Sequence, residues 1–259
     1  MNTSNASGNE IGNSDIPTQR DLYLIVFYSL LGGATALIPI PFVDDWIFAR
    51  LRKFMARNLL RQTGIAMTSE QARFLIQRPS EWKGRGCVYK AALAIFVLPL
   101  KTLGYVFKKV FRKIVFILAI HDSTERASST FHHAYLLTLA GRKRSSDSQL
   151  DDVSLIRMRE AINETLLGWD TSPVRNIFKK IVKVNRQILF RAGRSLLSLR
   201  RRIGSRPSPD SDLSQVVELE ERLLEDVTAA TTESLLGERG YLTSLEKRFT
   251  THARAKGLL

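Results

Sequence analysis

The chain is poor in cysteine, short of acid relative to base, and without any catalytic signature. Cys87 is the single cysteine, so no intramolecular disulfide can form. That fits a reducing compartment, or a fold held by packing alone. No Gly-x-x-x-x-Gly-Lys-Ser/Thr loop is present to cradle phosphate, and no Gly-x-Gly-x-x-Gly follows a strand. There is no Gly-x-Ser-x-Gly elbow either. One cysteine also excludes a Cys-based zinc ribbon. Alternation of period two never persists, strand signals are few, and no internal repeat is found. The fold class expected is therefore all-α, a helical bundle. Residues 1–20 read as a disordered tail, rich in Asn, Ser, Thr and Gly. Arg20 is their first basic residue, so no positive n-region precedes an apolar core and no cleaved signal peptide is expected.

The excess is in charge. Against 25 Asp/Glu stand 39 Lys/Arg, a net +14, with a pI near 10.2. Such a balance calls for an anionic partner: lipid headgroups, nucleic acid, or an acidic protein surface. A hydrophobic fraction of 44% leaves room for a sizeable core.

One stretch organises the rest. Leu22 to Val43 runs 22 residues without a charge. That is long enough to cross a bilayer, at about 20 residues per span. Gly32-Gly33 interrupts it and Pro39-Ile40-Pro41 ends it, since prolines at that spacing break a helix. Asp44 and Asp45 follow. Their plainest role is to cap the helix that begins at Trp46. In that helix Arg50, Lys53 and Arg57 share one face, with Ile47, Leu51 and Phe54 on another. Trp46, at the junction of apolar and basic sequence, suits a membrane interface or a half-buried place in a soluble core. Gly64 ends the helix, and Thr68 with Gln71 opens the next as a capping box.

Val88 to Ile120 is a second apolar region whose charges are all positive, and it holds Pro99. Lys90, Lys101, Lys108 and Arg112 fall within about 40° of one another on an ideal helix. The region lacks an uncharged run long enough for a simple span. It suits an interfacial helix, or a core helix with outward-reaching lysines. Residues 21–141 thus form an apolar and basic helical domain expected to associate with membrane, with the basic loop near Gly141–Ser146 as its boundary. Residues 146–259 form a second helical region. Val153, Ile156 and Leu166 mark the apolar side of its first helix, and Pro173 opens the next. From Arg175 to Arg206 there are eleven Lys/Arg and no acid. From Asp210 to Glu238 there are nine acids and one base, Arg222. A basic helix (174–203) and an acidic helix (212–236), with Val216, Leu223, Val227 and Ala230 as the apolar side of the second, predict an antiparallel hairpin with complementary charges. The end from Lys247 reads as basic and loose.

One constellation offers chemistry. His121, Glu125 and His132 lie at i, i+4 and i+11, which returns to one helix face within about 40°. Imidazole and carboxylate at that spacing can share a divalent metal, and Asp44 could complete the shell. The competing reading is a hydrogen-bonded or solvated polar face. No other cofactor is indicated.

The passage Ala36-Leu37-Ile38-Pro39-Ile40-Pro41-Phe42-Val43-Asp44, then Leu51, Met55 and Gly64, resembles the YcjF-like helical domain that accompanies bacterial small GTPases. It is more loosely similar to EcsC-like proteins. The resemblance covers residues 30–118 and implies a membrane-associated helical module beside a GTPase carried on another chain, since no GTPase motif is present here.

Three functions compete. The first is a membrane-associated helical protein on the cytoplasmic face. Leu22–Val43 is its anchor, and anionic lipid is gripped by Arg50, Lys53, Arg57, Lys90, Lys101, Lys108 and Arg112. From Arg50 to Lys113, fifteen Lys/Arg stand against Glu70 and Glu81. The second is a soluble bundle binding nucleic acid or an acidic protein through the same stripes. The third is a metal-dependent enzyme on the His121 helix.

Overall fold

A computed structural model describes residues 17–38, 40, 43–76, 105–144, 150–203 and 209–259. Those residues form nine α-helices and no strand, as the sequence predicts. They are α1 (Gln19–Thr35), α2 (Val43–Gln62), α3 (Ser69–Ile76), α4 (Tyr105–Lys143), α5 (Asp152–Leu166), α6 (Ser172–Val184), α7 (Arg186–Ile203), α8 (Pro209–Leu236) and α9 (Arg239–Ala255). Most of the N-terminal tail, Pro39, Pro41, Lys90, Pro99, Lys101 and the linker 204–208 lie outside the described residues.

Helix α1 is the centre. It starts on a capping box that no sequence pattern had singled out. The Thr18 N–H donates to Asp21 Oδ2 at 2.6 Å, and the Asp21 N–H donates back to Thr18 Oγ1 at 3.3 Å. Helices α2, α4, α7 and α8 all pack on it. Ile25, Val26, Leu30, Leu31 and Ala34 are wholly buried. Each fully buried Leu or Ile contributes about 1.5–3 kcal/mol over an exposed one.

The stretch Leu22–Val43 does not form one continuous helix. The helix is 17 residues long and ends at Thr35. No helix among the described residues is long and apolar enough to cross a membrane. From Ile25 to Thr35 every residue is buried by the surrounding helices, the mark of a central core helix. Its glycines are not interruptions but crossing points. A Cβ on Gly33 would lie 2.9 Å from the Ser123 carbonyl oxygen, and one on Gly32 would lie 2.9 Å from Thr130 Oγ1. Only glycine lets α1 and α4 approach so closely. From the far side Gly193 of α7 does the same, since a Cβ there would meet the Ala34 carbonyl oxygen at 2.7 Å.

Helix α4 is 39 residues long and joins the second apolar region to the His121 segment without a break. Lys108 and Arg112 fall on it, with side chains outside the description. It runs antiparallel to α1, with Asp21 of α1 paired to Arg142 near the end of α4. Buried residues from both sides of the expected boundary at 141–146 share one apolar core.

The C-terminal region departs from expectation in four places. On α5 the buried side is Leu155, Met158, Ala161 and Ile162, whereas Val153 and Ile156 are exposed. Two apolar lines run along this helix, and α9 and α3 cover the one not chosen from the spacing. The basic helix is broken at Asn185 into α6 and α7. On α8, Val216 and Val227 are buried as expected, but Leu223 faces out and Leu224 faces in. The segment from Lys247 is not loose: it continues α9, with Phe249 and Ala253 wholly buried against the core.

Candidate functional site

The metal set does not converge. His121 and Glu125 sit on partly exposed turns of α4, while His132 is buried two turns further on. Each has its own neighbour. His121 Nδ1 lies 3.7 Å from Asp122, and Glu125 accepts from Arg175 at 3.4 Å. Asp44 is held by Arg126. Among the described residues no group of three or more His, Cys, Asp or Glu is placed to hold a metal ion. Return to one helix face is not enough; the helices packed at each height differ.

His132 is instead a structural hub. The Ser128 carbonyl can only accept, so Nδ1 carries the proton and donates to it at 2.7 Å. Nε2 is then the acceptor and takes the Tyr241 O–H at 2.6 Å. The Tyr241 oxygen in turn accepts from Trp169 Nε1–H at 2.6 Å. Burial holds the imidazole at about 4 rather than its ordinary 6.5, opposed by the Ser128 carbonyl. Burial likewise pushes the Tyr241 phenol up to about 12. One chain of hydrogen bonds ties α4, α9 and the connection between α5 and α6. Only Trp169, lying between two helical patterns, hinted at it in the sequence.

Asp44 and Asp45 lie inside α2 rather than at a cap before Trp46. The helix begins at Val43, which places both in its first turn. There Arg126 Nη2 donates to Asp44 Oδ2 and to Asp45 Oδ1, each at 2.7 Å. Arg126 Nη1 donates to Thr35 Oγ1 at 3.1 Å, and its guanidinium lies 4.9 Å from the Phe48 ring centroid. The first turn of α2 thus brings two carboxylates to one arginine of α4. Nothing in the sequence marked Arg126, since a lone cation on a polar helix gives no signal. No protein-family model matches the chain, and neither a curated protein nor a solved structure does.

On α2, Trp46, Arg50, Lys53 and Arg57 fall at i, i+4, i+7 and i+11, one stripe along the helix. The opposite side of α2, carrying Ile47, Leu51 and Met55, is buried in the core. Trp46 is 36% exposed, with the Arg50 guanidinium 4.3 Å from its ring centroid. Ile40, in the bend just before α2, is also exposed. Arg50, Lys53 and Arg57 share one side of α2, each half-buried; Lys90 and Lys101 lie outside the described residues. An indole among cations on an outward stripe is suited to the headgroup layer of a bilayer, where a ring with one polar edge meets anionic oxygen.

Proposed function

We propose that this protein is a helical bundle that binds an anionic lipid surface peripherally, at the cytoplasmic leaflet, through the outer stripe of α2. The observation that carries it is Trp46, exposed beside Arg50 at the head of a line that continues with Lys53 and Arg57. With α1 buried in the bundle, the reading rests on the surface of α2. Each basic residue near an anionic leaflet contributes about 1 kcal/mol, and an indole at the interface adds apolar area. Four such residues give weak, reversible attachment that salt weakens.

Vesicle flotation tests this. The chain floats with vesicles containing phosphatidylserine and stays in the aqueous fraction with phosphatidylcholine alone. Arg50→Ala with Lys53→Ala removes about 2 kcal/mol, roughly thirty-fold in affinity. Equal binding to both vesicle types, or no effect of the pair, overturns the proposal. Retention of the chain by mixed-sequence duplex DNA in place of vesicles, falling steeply with salt, assigns it to nucleic acid instead.

A further inference from the structure

Helices α7 and α8 pack on each other. Leu189, Ala192 and Leu196 of α7 are buried, as are Val216, Leu224 and Val227 of α8. Apolar side chains therefore lie in the contact of the two helices expected to form a charge-complementary hairpin; the side chains of Arg200, Arg201, Arg202, Asp210 and Asp212 lie outside the description. On α8, Leu219, Leu223, Asp226, Ala230 and Glu233 follow at i, i+4, i+7, i+11 and i+14, one outward stripe flanked by Glu218 and Glu225. Leu219 is 64% exposed, an unusual place for a leucine between carboxylates. Among the described residues Glu218, Glu225, Asp226 and Glu233 enter no ion pair.

The second face is the outside of α6 and α7. Lys179, Lys180, Lys183, Arg191 and Arg194 are all exposed there. No acid occurs between Asp170 and Asp210 to neutralise them. On either side of the break one bond of the helical pattern is kept, from Asn185 N to Ile181 O at 2.8 Å and from Leu189 N to Asn185 O at 3.1 Å. Exposed cations stand on both sides of it. Val184, beside the break, is 72% exposed.

The two faces match. Fourteen or fifteen helical residues make each about 21–22 Å long. One is acidic with exposed leucines; the other is basic with an exposed valine. Within one molecule they cannot meet, because α8 already uses its other side to pack on α6 and α7. We propose that the acidic face of α8 in one copy docks on the basic face of α6 and α7 in a second copy of this chain. The contact is heterologous, so successive copies add head to tail and form a ring or an open row. Paired helix faces bury less than the roughly 1,000 Å² of a stable interface, so the association is weak and depends on concentration. It uses no residue of the α2 stripe.

Analytical ultracentrifugation of the full chain tests this. At low ionic strength the average mass rises with concentration; at high salt, where screening shortens to about 3 Å, it returns to that of the monomer. Two variants carry reversed charge at exposed positions only: Lys179→Glu/Lys183→Glu/Arg191→Glu, and Glu218→Lys/Asp226→Lys/Glu233→Lys. Each alone weakens association about a hundredfold, and far-ultraviolet circular dichroism shows both folded. Mixed together they associate again, since each supplies the face the other has inverted. A wild-type chain that is monomeric at every concentration overturns the proposal. So does association that survives either triple change, or a mixture that stays monomeric. A monomeric chain whose binding to duplex DNA is abolished by the first triple change gives the basic face to nucleic acid and likewise overturns it.

Discussion

Acidification should take stability from this protein through His132. The imidazole is buried as a neutral base, donating from Nδ1 to Ser128 and accepting at Nε2 from Tyr241. A proton added at Nε2 sets a second donor against the Tyr241 O–H and places a charge in the core. In the fold the group titrates at about 4, against 6.5 when exposed. Because the folded value of this base is depressed, its contribution is whole above 6.5 and is lost as the pH falls through that value toward 4. Over that window the unfolded chain takes up a proton that the native chain refuses. At about 1.4 kcal/mol per unit, the loss is about 3 kcal/mol. Carboxylates also titrate there, so the assay is a difference. Urea unfolding is followed by circular dichroism from about pH 7 to pH 4 for the wild type and for His132→Gln, which cannot titrate. The stability of the wild type relative to the variant should shrink by about 3 kcal/mol over that range. A gap that stays flat with pH would refute the assignment of a neutral, buried His132.

Four further perturbations probe the packing. Gly33→Ala puts a Cβ 2.9 Å from the Ser123 carbonyl oxygen, and urea unfolding should show a loss of about 1–3 kcal/mol. In Gly240→Ala nothing lies within 4 Å, and the same assay should find no loss. Arg126→Met strips the guanidinium from the buried Asp44 and should cost about 3–5 kcal/mol; a double cycle with Asp44→Asn should show the two changes strongly non-additive. Glu220 of α8 is buried with Oε2 unpartnered, and burial raises its carboxyl against the effect of the Ser195 hydroxyl. A raised acid is penalised while ionised, so Glu220→Gln should raise the melting temperature at neutral pH. That advantage should fade as the pH falls and the native carboxyl takes its proton.

The sequence made the helical class legible because apolar spacing and missing alternation are local properties. Local chemistry also survived translation: Thr68 and Gln71 exchange the two hydrogen bonds of a capping box, and Gly64 closes α2 at φ +86°. What failed depends on neighbours. An apolar run reads the same whether lipid or protein surrounds it, and only the close approaches at Gly32, Gly33 and Gly193 show that it is protein. Where a helix carries two apolar lines, as α5 does, spacing alone does not choose between them. His121, Glu125 and His132 shared a face by arithmetic, yet α9 covers the last of them and α6 supplies the partner of Glu125. Opposite charge on adjacent helices suggested pairing, and the described contact between them carries buried Leu189, Leu196 and Leu224.

The central claim is that the apolar segment Leu22–Thr35 is the core helix of the bundle, and the proposal adds that lipid is met at the outer side of α2. Amide hydrogen exchange across Leu22–Thr35 tests it most directly, measured in aqueous buffer with and without phosphatidylserine vesicles. The account predicts slow exchange in both, among the slowest in the chain and unchanged by vesicles. Rapid exchange in buffer that becomes slow only when vesicles are added would contradict it.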